Sequence, residues 1–268
     1  MIKHVLVPLD GSRLAESVLD PVVQLVRSSQ GSILLLHAVT PAESFAMTAS
    51  EFVTRERRHS ARYLARLSER LGDQGIGVEE RVVTGEPSRV IVATASREKV
   101  DLIAMSTHGR SGVREWAFGS VAERVLRSTG IPTLIFWGKL KGRFAIRRIL
   151  VPLDGSPRAM AVLDAASDLA DSLMAELLLV HVGKRLPEAV ERACQGLERR
   201  HTPHQVLMGK GDPSSAILEI VRKESPDLIA MTPTGESRHE RIHFGRVAEE
   251  ILRRAERPIL LVRPQEGK

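Results

Sequence analysis

The chain has little of several things on which whole classes of protein depend. Cys194 is the single cysteine in 268 residues, so no disulfide can form within the chain, and a reducing compartment is expected. Aromatic residues make up 3% of the chain and do not alternate with basic residues, as they would on a surface that stacks nucleic-acid bases. No apolar run approaches the roughly 20 residues that span a bilayer, and the amino terminus lacks a signal-peptide cleavage pattern. These absences predict a cytoplasmic protein without a membrane segment.

Sequence motifs of several enzyme classes are absent as well. There is no GxxxxGKS/T loop, no GxGxxG after the first predicted strand and no GxSxG. The lone cysteine excludes a CxxC metal or redox pair. No catalytic base, nucleophile or metal pair stands out. The sequence therefore favours a binding protein over a fast enzyme, with no catalytic and no metal-ligating residues assigned.

The positive charge of the chain is concentrated in one short segment. The formal net charge is +6, yet residues 139–148 alone contain five Lys or Arg and no acidic residue. A basic nucleic-acid surface would need cations spread over one face of a domain. Nucleic acid is therefore not expected as a partner.

The sequence repeats itself once. Residues 2–12 read IKHVLVPLDGS, and residues 146–156 read IRRILVPLDGS. His37 and His181 end matching apolar runs 144 positions apart, whereas the matching Gly85 and Gly211 are 126 positions apart, so the first copy has 18 additional residues, around Pro41–Arg58. Two long copies indicate duplicated globular domains rather than a solenoid. We predict domains at 1–138 and 146–268, joined by a linker at 139–145.

Within each copy, short apolar runs alternate with segments of helical periodicity. The first copy has predicted strands at His4–Pro8, Ile33–Val39, Val78–Thr84, Leu102–Ser106 and Thr133–Phe136, with helices at Leu14–Ser28, Glu51–Leu71, Pro87–Arg97 and Ser120–Ser128. The second copy has predicted strands at Arg148–Pro152, Leu177–Val182, Gln205–Met208, Leu228–Thr232 and Ile259–Val262. This alternation predicts an α/β fold with two tandem doubly wound parallel sheets. Ligands of such sheets bind beyond the carboxyl ends of the strands where the strand order reverses, here between the first and fourth strands.

The stretch from Asp101 to Arg127 reads as a strand, a glycine loop and a helix. The apolar run Leu102–Met105 is followed by small and turn-forming residues, and then by Gly119-Ser120 at the start of a helical pattern. The backbone N–H groups at a helix start lack partners within the helix and carry the positive end of its dipole. Glycine lets a ligand approach the backbone closely. The stretch therefore predicts an anion-binding site, in particular for phosphate.

These motifs together resemble the universal stress protein family. The resemblance is carried by VPLDGS at the end of the first strand, by Leu-His at the end of the second, and by STHGRSGVREWAFGSVAERVL after the fourth. It covers both copies and implies two Rossmann-like, adenine-nucleotide-binding domains in tandem. ATP-binding members carry Gly, two residues, Gly, nine residues, then Gly followed by Ser or Thr. Here Ser106 stands in the first place, Gly109 in the second, and Gly119 with Ser120 in the third.

The resemblance implies a set of ligand contacts for ATP, alone or with Mg²⁺. It places Asp10 at the ribose, backbone of Leu9 and Ala38 at the adenine, and Met105 nearby. The phosphates would be surrounded by residues of the glycine loop and of the following helix: Ser106, His108, Gly109, Arg110, Gly119, Ser120 and Val121. From the residues alone, Asp10 is either a ribose acceptor or an Asx-turn residue, and His108 either contacts phosphate or caps the loop.

The second copy departs from the family pattern. It has Thr232, Gly235 and Gly245-Arg246, so that Arg246 replaces the hydroxyl residue, and a long cation there could fill a phosphate site itself. The resemblance implies a stress-response or signalling role in which nucleotide changes conformation or association. The alternatives are a slow ATP-hydrolysing enzyme and a nucleotide-free interaction protein. The last apolar strand of each copy is expected at a sheet edge, so we predict pairing of the two domains within the chain or a homodimer.

Overall fold

The fold is seen in a computed structural model that describes residues 2–41, 49–107, 119–137, 144–233 and 244–263. The chain divides into two compact units, Ile2–Phe144 and Ala145–Lys268. Within these described ranges, each unit contains five strands that alternate with helices.

The first unit begins with a buried strand and ends with one. Its strands are β1 (His4–Pro8), β2 (Ser32–Val39), β3 (Gly77–Thr84), β4 (Leu102–Ser106) and β5 (Thr133–Phe136). Its helices are α1 (Arg13–Glu16), α2 (Leu19–Ser28), α3 (Ala49–Gly72), α4 (Pro87–Arg97) and α5 (Ser120–Ser128).

The second unit repeats this order. Its strands are β6 (Arg148–Pro152), β7 (Glu176–Val182), β8 (His204–Gly209), β9 (Leu228–Met231) and β10 (Ile259–Leu261). Its helices are α6 (Pro157–Leu173), α7 (Glu188–Arg200), α8 (Pro213–Glu224) and α9 (Arg246–Arg254).

All strand pairs within each unit are parallel. In the first unit the order is β3-β2-β1-β4-β5, and Val5 of β1 aligns with Ile33 of β2 on one side and Leu102 of β4 on the other. In the second unit the order is β8-β7-β6-β9-β10. The strand order reverses between β1 and β4, and again between β6 and β9. The predicted fold class, α/β with two doubly wound parallel sheets, is confirmed.

The central strands are buried because helices cover both faces of a doubly wound sheet. Val5, Leu6 and Val7 of β1 and Leu102, Ile103 and Ala104 of β4 have no exposed surface. Such continuous apolar runs gave the sequence its clearest strand signals, and β1, β4 and β5 have the predicted bounds.

One predicted helix is interrupted. The segment predicted as Leu14–Ser28 contains α1, which ends at Glu16, and α2, which starts at Leu19. Pro21 has no N–H to donate to the carbonyl of Ser17, and its ring would clash with that carbonyl in a continuous helix. The Ser17 hydroxyl instead donates to the carbonyl oxygen of Leu14 at 2.6 Å. In the second unit Ala165 stands at the matching position, and α6 continues without a break.

No helix in the described ranges is long and apolar enough to span a membrane.

Candidate functional site

The first unit has a cleft of about 420 Å³ above the carboxyl ends of its central strands. The ends of β1, β2 and β4 form its floor, and the starts of α4 and α5 together with α3 form its walls. Among the residues assigned from the sequence, those that line the cleft are Leu9, Asp10, Ala38, Met105, Ser106, Gly119, Ser120 and Val121. His108, Gly109 and Arg110 lie outside the described residues. Residues from four separate segments of the chain thus meet at one place.

Asp10 shapes the turn that follows β1. Its Oδ1 accepts a hydrogen bond from the backbone N–H of Ser12 at 2.9 Å, and Gly11 between them has a φ of 83°. Ser12 then caps α1, because its hydroxyl oxygen accepts from the N–H of Ala15 at 3.1 Å. The Asx turn is therefore present, and Asp10 also lines the cleft. Contact with a ribose stays a prediction.

The start of α5 faces the same cleft. Gly119 is the N-cap residue and provides no side-chain cap, so the first-turn N–H groups lack the partner that Ser or Asp would supply. The Gly119 N–H donates to the carbonyl of Thr107 at 2.8 Å, and the Thr107 N–H donates to that of Phe136 at 3.1 Å. These bonds hold the helix start at the end of β4. The positive end of the α5 dipole is therefore directed at the cleft.

A carboxylate connects the two helices that flank this side of the cleft. Glu86 is the N-cap of α4; its Oε2 accepts from the Ser88 hydroxyl at 2.7 Å and from the Arg89 N–H at 3.0 Å. Its Oε1 accepts from Nη1 of Arg124 on α5 at 3.2 Å. The Ser88 hydrogen bond, followed by the Arg89 N–H and the Arg124 charge, lowers the pKa of Glu86 to about 2. The carboxylate stays ionised at neutral pH and fixes α4 to α5.

The second unit has a related cleft of about 380 Å³, but the residue at the helix start that faces it is different. Asp154 lines it and repeats the Asx turn, with Oδ1 2.9 Å from the N–H of Ser156. Arg246, the first residue of α9, also lines it, and its Nη2 donates to Oδ1 of Asp212 at 2.9 Å. Asp212 caps α8, and hydrogen bonds headed by the Ser214 hydroxyl lower its pKa to about 2. The Arg246 charge is thus paired with a carboxylate of the protein.

The histidines at the ends of the second strands, His37 and His181, line the clefts of their units. Nδ1 of His181 lies 2.8 Å from the carbonyl oxygen of Leu153, which requires the proton on Nδ1. His37 lines the first cleft and meets Tyr63 of α3 edge-on, with ring centroids 6.2 Å apart. The Tyr63 hydroxyl donates to Oε1 of Glu16 at 3.1 Å, and burial raises its pKa. This contact fixes α3 beside the mouth of the first cleft.

Several lining residues were not assigned by the sequence analysis, and two of them come from α3. Phe52 and Glu56 of α3 line the first cleft and are four positions apart, so they share one helix face. Both lie in the 18 additional residues of the first copy. Their place in that segment was the one feature of the sequence that could have marked them as candidates for the site. Helical periodicity alone does not tell which face of a helix meets a ligand.

The sequence analysis was wrong to find no metal-ligand spacing, because one such motif is present outside the described residues. His239, Glu240 and His243 match the HExxH spacing of zinc peptidases, in which both histidines lie on one helix. Among the described residues, no group of three or more His, Cys, Asp or Glu side chains could hold a metal ion.

The sequence model of the universal stress protein family matches residues 1–136, 145–195 and 184–263. The chain belongs to the universal stress protein family. Two relatives each match about half of it: YxiE of Bacillus subtilis is 27% identical over 50% of this chain and 99% of its own length, and MJ0577 of Methanocaldococcus jannaschii is 27% identical over 50% and 94%. A universal stress protein structure from Archaeoglobus fulgidus covers 97% of this chain and 98% of its own, with a TM-score of 0.82 and 22% identity. The half-length relatives and the full-length fold match agree with a tandem arrangement.

Proposed function

We propose that the first unit binds an adenine nucleotide, ATP with or without Mg²⁺, and serves a stress-response or signalling role through nucleotide-dependent conformation or association. The observation that carries this proposal is the cleft at the β1–β4 reversal, where the uncapped start of α5 and the carboxylate of Asp10 meet an apolar floor. A nucleotide needs the same three features: a positive helix start for the phosphates, an acceptor for the ribose hydroxyls and an apolar surface for the base.

The order of the strand ends along the cleft suits such a ligand. Neighbouring strands lie about 4.8 Å apart, so the step from β2 through β1 to β4 spans roughly 10 Å. The phosphates would lie at Gly119, Ser120 and Val121 above β4. The ribose would lie at Asp10 after β1, and the base at Leu9, Ala38 and Met105 toward β2. His108, Gly109 and Arg110 of the loop are proposed as further phosphate contacts on the strength of the family pattern.

We propose that nucleotide binding acts by shifting the population of the protein between conformations or between associated states. A nucleotide that prefers one conformation or one associated state stabilises that state by RT ln(1 + [L]/Kd), about 2.7 kcal/mol at a hundredfold excess over Kd. The helices α4 and α5, joined by Glu86 and Arg124, border the phosphate end of the cleft and would respond together.

The test is to identify nucleotide that co-purifies with the full chain by mass spectrometry, and to titrate the stripped protein with ATP by calorimetry. Gly119→Trp should abolish binding, because the indole would occupy the phosphate pole. Gly130→Trp is the matched control, since a side chain at that exposed glycine meets nothing within 4 Å. A chain that neither carries nor binds adenine nucleotide would refute the proposal. If the unmodified chain and Gly130→Trp hydrolyse ATP and Gly119→Trp does not, the alternative of a slow ATP-hydrolysing enzyme is favoured instead.

A further inference from the structure

Helix α3 is the largest difference between the two units. It runs from Ala49 to Gly72, 24 residues, whereas the corresponding α7 runs from Glu188 to Arg200, 13 residues. Phe52 and Glu56 of α3 line the first cleft, while no residue of α7 lines the second. The additional residues of the first copy therefore give one cleft an aromatic ring and a carboxylate that the other cleft lacks.

Glu56 differs from the other acidic residues around the first cleft. Glu16 accepts a hydrogen bond from Tyr63, and Glu86 accepts from Ser88, Arg89 and Arg124. Glu56 is partly buried, and within the described ranges no hydrogen bond or ion pair involves its carboxylate. Its neighbour Arg57 donates instead to Oγ1 of Thr84 at 3.3 Å. A partly buried carboxylate in a cleft, with no partner from the described part of the protein, can accept a hydrogen bond from a ligand that supplies a donor.

The position of Glu56 tells which part of the ligand it would meet. Helix α3 packs on β2 and β3, on the opposite side of β1 from the start of α5. The cleft thus has a positive helix start above β4 and a carboxylate on the β2 side. Phosphates are attracted to the first and repelled by the second, so the two poles give a bound nucleotide one orientation, with its base beside Glu56 and Phe52.

We propose that Glu56 is the specificity-determining residue of the first cleft, accepting a hydrogen bond from the exocyclic amine of the base while Phe52 packs against the ring. This inference rests on the proposed function. An ionised carboxylate accepts hydrogen bonds and donates none. It therefore favours adenine, which presents an amine, and disfavours hypoxanthine, which presents a carbonyl oxygen at the same position of an otherwise nearly identical ring.

The experiment compares ATP with inosine triphosphate as ligands of the full chain by calorimetry. The unmodified chain should bind ATP more tightly by roughly 10- to 100-fold, the range expected when a charged acceptor gains a donor in one case and faces an oxygen in the other. In Glu56→Gln the side-chain amide can turn its NH₂ toward the carbonyl of inosine, so the ratio should fall to about one. Glu69→Gln, an exposed position on the same helix away from the cleft, should keep the original ratio.

The outcomes distinguish a wrong role for Glu56 from a failure of the first cleft to bind nucleotide at all. Glu56→Gln removes a carboxylate that has no partner in the described part of the chain, so its Tm should not fall, and a lost preference then reports on binding rather than unfolding. Glu56→Ala provides a second variant and should also bring the ratio close to one. If ATP binds and the ratio is the same in the unmodified chain and in Glu56→Gln, Glu56 does not determine specificity, and the proposed function stands. If neither nucleotide binds the unmodified chain, both proposals fall.

Discussion

Replacing Ser120 with aspartate should move stability and nucleotide affinity in opposite directions. Ser120 is the exposed first residue of α5, and the N-cap before it, Gly119, offers no side-chain acceptor. A carboxylate in the first turn interacts favourably with the N–H groups at the helix start and with the helix dipole. Without ligand, we expect the free energy of unfolding to rise by about 0.3–1 kcal/mol.

The same carboxylate would stand beside the proposed phosphate position. At a separation of about 5 Å and an effective dielectric constant of about 20, two unit charges repel by roughly 3 kcal/mol. Since about 1.4 kcal/mol corresponds to a factor of ten, Ser120→Asp should raise the Kd for ATP by roughly 100- to 200-fold.

The assay is calorimetric titration with ATP in EDTA, so that the new carboxylate cannot recruit a metal ion, together with thermal unfolding of the ligand-free protein. Ser120→Asn controls for side-chain shape, and Gln195→Glu adds the same charge at an exposed position of α7 in the second unit. Both controls should keep the original affinity. Equal ATP affinity in Ser120→Asp and Ser120→Asn would show that phosphate does not bind at the start of α5.

Other predictions concern stoichiometry, pH and association. Because Arg246 is paired with Asp212 at the start of α9, the second unit should bind ATP more weakly than the first, and calorimetry should give about one ATP site per chain. That site should be lost in Gly119→Trp and kept in Gly245→Trp, and two equal sites would contradict this prediction. Folding lowers the pKa of Glu86 from 4.5 and of Asp212 from 3.8, each to about 2, so each carboxylate stabilises the fold above its unfolded pKa and loses that effect as pH falls toward 2. Denaturant titrations should therefore show a shallower loss of stability between pH 4.5 and 2 in Glu86→Gln and in Asp212→Asn than in the unmodified chain, and unchanged slopes would count against these caps. Binding to DNA should vanish by roughly physiological salt, because few phosphates would be neutralised; a footprint that survives such salt would reverse this reading. A fragment of residues 1–140 should self-associate in sedimentation through the β5 edge, and Leu134→Lys with Phe136→Lys should make it monomeric; a monomeric unmodified fragment would argue against edge pairing.

Local patterns in the sequence were enough to determine the architecture. The repeat at residues 2–12 and 146–156 established the duplication, and the unbroken apolar run of β4 predicted a buried parallel strand with the bounds that the structure has. Such elements are predictable because burial on both faces of a sheet requires apolar side chains at every position. The break at Pro21 also had a local cause, the missing N–H of proline, and it could have been read from the sequence.

Contacts between helices were decided only in three dimensions. Arg124 meets Glu86 across 38 positions, and Arg246 meets Asp212 across 34. The start of α9 therefore holds a cation paired with a carboxylate, whereas Ser120 stands at the matching position of α5. Likewise, the sequence showed that the first copy has 18 additional residues, and only the packing of α3 on β2 brought Phe52 and Glu56 to the cleft. Periodicity determines which residues share a helix face, but the neighbour of that face depends on how the helix crosses the sheet.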